Sequence, residues 1–409
     1  MPAPARWGRR LAICERPGYA QYSAQPVSQK RTHCYDVAVI GAGPAGSSAA
    51  LAAVRAGYSV VLFEKARLPR YKACGGGVLA RAYHRLPASA AGIVERSFNS
   101  VALNFPGAGM NLVATRPEPL VYMTMRSALD HCLAVEAQTA GVELIEACPV
   151  SELDQARDAV RISAGGDRFR AGFVIAADGV HSRVARAAGW PALPTLAPAL
   201  EYEVHLAENE FAQYSQRPRF DFDVIDAGYG WVFPKRDHLS AGILSTLPVC
   251  SDLPAKLADY LRGIGISRIQ KIERHGYLIP LAPRRGPLAR GRVLLAGDAA
   301  GLVDPVTAEG ISHALLSGQL AAAALTEGRL DPPTVAANYQ SLLARHILGE
   351  LRAARFLARF LYHHPKIRHG AFRLRGQQLC DFAAKVVMGE ASYREALARP
   401  ATYSKMLGW

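Results

Sequence analysis

Hydrophobic residues gather in short blocks along the chain, and the rhythm within the blocks changes from one third of the sequence to the next. Tyr35 to Ile40 and Ser59 to Phe63 are near-continuous apolar runs of strand length, as expected of strands covered on both faces. Between them an alanine-rich stretch ending near Gly57 predicts a helix. Phe173 to Ala177 and Arg292 to Ala296 repeat the pattern of a buried strand running into a turn. In the middle of the chain the period shortens: Tyr202 to Leu206, Phe220 to Val224 and Gly230 to Phe233 alternate, which predicts antiparallel strands with one covered face. From Leu342 to Tyr362 it lengthens again, with apolar residues at Ile347, Leu348, Leu351, Phe356, Leu357, Phe360 and Leu361 forming a helical stripe.

The length of 409 residues suits two intimately joined domains. Half the residues are hydrophobic and a fifth are charged, the balance of a globular enzyme rather than a disordered tail. No apolar run approaches the roughly 20 residues of a membrane-spanning helix. A net charge of +14 draws anions, yet no nucleic-acid-binding module accompanies it, so an anionic membrane surface or an acidic substrate is the expected partner and nucleic acid is not. The seven cysteines are scattered without CxxC spacing, which predicts reduced thiols in a cytoplasmic setting. Residues 1–33, with Arg6, Arg9, Arg10 and Arg16 but no hydrophobic signal stretch, read as a flexible basic extension.

The first apolar block runs into Gly41-Ala42-Gly43-Pro44-Ala45-Gly46, a G-x-G-x-x-G turn between strand and helix. In such a turn the first glycine permits the bend, the second admits a pyrophosphate against the backbone and the third lets helix and strand pack closely. The helix amides then face the phosphates. The second strand ends at Glu64, where a carboxylate can accept hydrogen bonds from a ribose, with Lys65 beside it. This predicts a dinucleotide site without distinguishing FAD from NAD.

Two later turns distinguish them. Asp178-Gly179 and Gly297-Asp298 each follow a buried strand, and in this order the three motifs resemble the aromatic-hydroxylase-like class of FAD proteins. The resemblance implies that Asp298 binds the flavin's ribityl chain, that Gly310 and Ile311 open a helix facing the flavin, and that Arg126 lies near its phosphates. The fold class implied is α/β: a Rossmann-type FAD-binding domain (34–100, 121–190 and 286–328), an inserted antiparallel β-sheet substrate domain (101–120 and 191–285) and a C-terminal helical region (329–409).

A further set of residues narrows the chemistry. Pro69-Arg70-Tyr71-Lys72-Ala73-Cys74-Gly75-Gly76-Gly77 puts a thiol in a flexible turn just after the acidic strand end. With Gly228-Tyr229-Gly230-Trp231-Val232-Phe233-Pro234-Lys235 and Gly389 to Glu395, it makes the chain resemble the geranylgeranyl reductase family from about Tyr35 to Ala398. The resemblance implies that Cys74, Gly75 and Gly76 lie beside the flavin ring and that Tyr229, Trp231 and Phe233 line a prenyl-binding cavity, with Cys74, Tyr229 and Trp231 as catalytic residues. Period-2 geometry puts the three aromatics on one strand face. The implied reaction saturates a double bond by hydride from reduced FAD, itself reduced by NAD(P)H or another donor, with Cys74 either delivering the proton or shaping the flavin's surroundings. A flavin monooxygenase of an aromatic or isoprenoid compound, a flavin halogenase and a non-catalytic FAD-containing prenyl-binding protein share the nucleotide motifs. The halogenase depends on a catalytic lysine for which Lys72 has no matching context.

The apolar stripe near the C-terminus is bordered by Arg345, Arg352, Arg355 and Arg359, and His363, His364, Lys366, Arg368, His369, Arg373 and Arg375 extend the charge. Such a helix either rests peripherally on the inner face of a membrane, near prenyl lipids, or packs on the enzyme with its arginines solvated. His363 and His364 point apart on a helix, and no metal is expected.

Overall fold

The structure, a computed structural model, describes residues 32–398. The extension expected over residues 1–33 lies outside the described residues except for its last two. Those two begin β1 (Thr32–Ile40), which starts earlier than the apolar run because Thr32 and His33 continue the parallel ladder to Arg168 and Phe169. The chain continues through α1 (Pro44–Arg55), β2 (Val60–Phe63), β3 (Ser100–Phe105), β4 (Met110–Thr115), α2 (Arg126–Thr139), β5 (Glu143–Ile145) and β6 (Asp167–Ala176). Next come β7 (Leu196–Leu206), β8 (Arg219–Phe222), β9 (Gly228–Pro234), β10 (Leu239–Ser245), α3 (Leu253–Gly263), β11 (Ile269–Pro280) and β12 (Val293–Leu295). Five α-helices follow: α4 (Ile311–Glu327), α5 (Pro332–Leu343), α6 (Gly349–His363), α7 (Pro365–Met388) and α8 (Tyr393–Ala398).

Two sheets carry the molecule. The first has the parallel order β12-β6-β1-β2-β5. Its central strands are covered on both faces, Val37, Ala38, Val39, Val174 and Ile175 being wholly buried, which is why they read as unbroken apolar runs. A hairpin of Val150–Gln155 and Val160–Ala164 extends this sheet antiparallel from β6, an addition the apolar blocks did not announce. The second sheet has the order β11-β7-β10-β9-β8-β3-β4, antiparallel except where β8 and β3 run parallel. One of its faces packs Tyr202, Val204, Leu239, Ala241 and Ile243 against Leu257 and Leu261 of α3. The other face looks toward the first sheet's strand ends.

The C-terminal stripe is helical, through α5, a π-helical turn (Ala344–Leu348) and α6. Its apolar residues divide: Ile347 and Leu351 join the core of the first sheet, whereas Phe356 and Phe360 are 49% and 38% exposed. Arg345, Arg352, Arg355 and Arg359 are exposed, but the basic run beyond them corrects the expected solvated character. Arg368 is buried and turned onto Asp223, which His369 also approaches at 3.0 Å. A paired charge of this kind costs far less to bury than a bare one. No described helix is long and apolar enough to cross a membrane.

Candidate active site

The strand ends of the first sheet form a backbone cradle. A Cβ at Gly46 would stand 1.8 Å from the Gly41 carbonyl oxygen, so the turn closes only with glycine there. Gly43 caps α1 without any side-chain hydrogen bond, and the nearest atom to a Cβ built on it would be Arg126 Nη2 at 4.0 Å. Unsatisfied helix amides, open space and a guanidinium thus meet at one point, a fit for a diphosphate. Arg126 is fixed there by Asp130, its Nε and Nη2 donating at 2.9 and 3.0 Å. Burial works against that guanidinium's charge, but Asp130 outweighs it and holds the pKa above its usual value.

Glu64 is more committed than the expected ribose acceptor: Oε2 accepts from the Ala42 amide at 3.0 Å and Oε1 from the Ala66 amide at 3.1 Å, with Arg70 also at 3.3 Å from Oε2. Oε2 is thus fully engaged, and Oε1 keeps lone-pair capacity for a further donor. Asp178 Oδ2 accepts from Val184 at 3.2 Å, while its buried Oδ1 has no protein partner. Lys65, Gly179, Asp298, Gly310 and Ile311 line the same cavity, as does Ala45. Gly46 and Gly297 do not line it; Gly297 instead holds strand to helix, its amide donating to Ser317 Oγ at 2.9 Å.

The thiol-bearing turn is clamped from below. Lys235, wholly buried, donates to the carbonyls of Gly75 at 2.7 Å and Thr124 at 3.0 Å. Gly76 has φ 63°, and a Cβ on it would lie 2.1 Å from Thr124 O and 2.3 Å from Lys235 Nζ. Cys74 Sγ accepts from the Gly76 amide at 3.4 Å. On the approach to this turn Lys72 Nζ sits 3.1 Å from the centre of the Tyr277 ring, its pKa lowered to about 8 by burial and then by Arg126.

Beside the turn stands β9. A Cβ on Gly75 would meet Phe233 Cδ2 at 2.8 Å and Trp231 Nε1 at 3.2 Å, so turn and aromatic strand converge. Tyr229 is anchored by a 2.7 Å hydrogen bond to the Thr307 carbonyl, whereas the buried Trp231 Nε1 has no partner. The three rings succeed one another at centroid separations of 6.1 and 6.3 Å. From them a cavity of about 1460 Å³ extends past Leu103, Leu244 and Tyr362 to Phe356, Phe360 and Ile367. That exceeds the roughly 300–1,000 Å³ of common ligand pockets, as a site for both a dinucleotide and a long chain must.

Four residues on or near this site had no assigned role in the sequence reading. Glu201 and Glu203 on β7 are 4% and 3% exposed, and both lie on the face opposite Tyr202 and Val204. Burial, then Glu203, raises the Glu201 pKa to about 7. His238 Nε2 and Glu203 Oε2 stand 3.1 Å apart, off the alignment of a full hydrogen bond and with no other protein partner. Lys235 belonged to a quoted motif, but nothing local marked it as buried. His205, Asp237 and His238 bring ligand-type atoms within 4.8 Å of one another, with the His238 ring between Asp237 and Glu203. The six described cysteines are unpaired.

Backbone cradle and sheet together define an FAD-binding oxidoreductase, and the FAD binding domain family matches residues 34–225. The digeranylgeranylglycerophospholipid reductase 1 of Methanopyrus kandleri is 32% identical over 80% of this chain and 90% of its own length. The geranylgeranyl diphosphate reductase of Synechocystis is 32% identical over 70% of this chain and 74% of its own. A crystal structure of a geranylgeranyl bacteriochlorophyll reductase-like protein from Thermoplasma acidophilum shares the fold with TM-score 0.72 at 22% identity, covering 92% of this chain and 96% of that one. The chain belongs to the geranylgeranyl reductase family.

Proposed function

We propose that the protein saturates carbon–carbon double bonds of a geranylgeranyl or related prenyl chain. The observation that carries this reading is the convergence of the Cys74 turn with the Tyr229, Trp231 and Phe233 strand on the wall of a cavity that apolar side chains continue to Phe356 and Phe360. A polyisoprene offers a protein little but surface, at about 25 cal/mol per Å² buried, so an aromatic-walled tunnel is the appropriate recognition device. Gly41, Gly43, Arg126, Asp178, Asp298 and the start of α4 would hold FAD, which when reduced supplies hydride to the alkene.

The remaining work falls to the chain's own groups. An isolated alkene accepts hydride only as a proton reaches its other carbon, so the proton donor and the exclusion of water both matter. Cys74 is the donor we assign, because its thiol is carried on the turn that meets the aromatic strand. Lys235 and Gly76 hold that turn in place. NADPH or another external reductant restores the cofactor.

The cavity's open end carries the second half of the reading, peripheral contact with the inner face of a membrane. Phe356, Phe360, Ile367 and Leu374 are 49, 38, 56 and 81% exposed, and Arg352, Arg355, Arg359 and Lys366 flank them. Exposed apolar side chains bordered by arginines suit an anionic bilayer, from which a prenyl chain enters without crossing water. The test of the reaction is spectroscopic: with the flavin-loaded protein photoreduced without oxygen, geranylgeranyl diphosphate should restore the yellow absorbance. Persistent bleaching with every prenyl substrate offered would refute the reading.

A further inference from the structure

We propose that Glu201, Glu203 and His238 form a proton path connecting solvent at Asp237 to the thiol-bearing turn. The inference rests on the reductase reading and adds to it the source of the proton. Residues 201 and 203 share one face of β7, the face opposite the apolar core of the second sheet. Two buried carboxylates side by side are costly and serve no packing purpose, so their partners show what they are for.

Those partners form a sequence from surface to site. The Asp237 side chain is 72% exposed, and its Oδ1 lies 2.8 Å from His238 Nδ1. His238 Nε2 reaches Glu203 Oε2 at 3.1 Å. Glu203 Oε1 accepts from the Tyr71 hydroxyl at 3.2 Å, and Ser240, the register partner of Glu203, donates to Glu201 Oε1 at 2.7 Å. Glu201 lines the cavity, and the Cys74 backbone amide works to lower its pKa against the effect of burial.

The electrostatics suit transfer. Of two adjacent buried carboxyls one keeps its proton to higher pH, and here it is Glu201, the one nearer the reaction, with a pKa near 7. At the outer end, burial opposes His238's charge, but Glu203 and Asp237 prevail and raise its pKa. The other groups facing the pair are Lys235, just after β9, His275 and Glu273 from β11 and Tyr71 from the turn, with His205 stacked on His238. Each saturation breaks one π bond and forms two C–H bonds, from a hydride of the reduced flavin and a proton. The proton leaving Cys74 is replaced from Glu201, that of Glu201 from Glu203 and His238, and that of His238 from water at Asp237.

The test uses the flavin-loaded protein and two readouts. Infrared spectra should show a protonated-carboxyl band that titrates near pH 7 and is lost in Glu201→Gln. On transfer to D2O, His238→Ala should keep the band but slow its hydrogen–deuterium shift severalfold. In single turnovers Glu201→Gln should lower the rate by roughly 10²-fold and abolish its decline above neutral pH. No Glu201-dependent band between pH 5 and 9, or equal exchange in His238→Ala, overturns the path. Glu203→Gln serves as second variant should Glu201→Gln lose its flavin. Absence of any prenyl product alongside an intact band and slowed exchange would instead fault the substrate reading.

Discussion

One sheet face carries two unlike surfaces. At its β9 end Tyr229, Trp231 and Phe233 offer apolar area. At its β7 end, two strands away, Glu201, Glu203 and His238 offer protons and charge. Gly242 sits between them on β10, in register with Glu201 on one side and with Trp231 on the other. The contrast teaches that a strand face turned toward a cofactor answers to chemistry as well as to packing. The aromatic end needs shape, and the acidic end needs partners for every charge it buries.

Breaking the acidic end should cost the most. Lys235→Met removes the donor of the Gly75 and Thr124 carbonyls and the positive charge nearest the buried carboxyls, and should destabilise the protein by about 3–5 kcal/mol in denaturant unfolding. Next in size, Cys74→Ser should keep FAD bound and the fold intact while slowing single-turnover saturation by about 10²-fold. An unchanged rate would remove the thiol's proton role. Gly242→Ala strikes the boundary itself, since its Cβ would lie 2.2 Å from the Trp231 ring and 2.4 Å from Leu200 O. A cost of about 1–3 kcal/mol and weaker prenyl binding are expected from displacing the indole.

A pH comparison sharpens the same contrast. Because the Glu201 pKa is raised in the folded state, its contribution to stability is fully present below the carboxyl's unfolded pKa and is lost as pH rises through about 7. Glu201→Gln should therefore be more stable than the parent at pH 8, by about 1–3 kcal/mol, and gain little at pH 5. Smallest are the surface arginines. Changing Arg352, Arg355 and Arg359 to Gln should weaken flotation with anionic liposomes by about 1 kcal/mol each. Equal flotation would leave α6 as a helix that serves only the enzyme's own body.

The two ends also differ in how far the sequence disclosed them. The cofactor cradle is made by backbone, so it demands glycines and acids at fixed, contiguous places, and Gly41 to Gly46, Asp178-Gly179 and Gly297-Asp298 were legible for that reason. The aromatic strand was legible through its period of two. Tyr202 to Leu206 showed the same alternation, but Glu203 and His205 looked like a solvated face, because nothing within a strand says that a cavity covers its polar side. Arg368 looked like one more surface cation, since its partner Asp223 lies 145 residues away in sequence. Side chains that matter through distant neighbours leave no local mark.

The most direct measurement follows the substrate's mass. Flavin-loaded protein is reduced without oxygen, mixed with geranylgeranyl diphosphate, and the extracted product is weighed by mass spectrometry. Masses raised by pairs of hydrogens are predicted. An unaltered chain, or one that gains oxygen when air is admitted, would contradict the assignment.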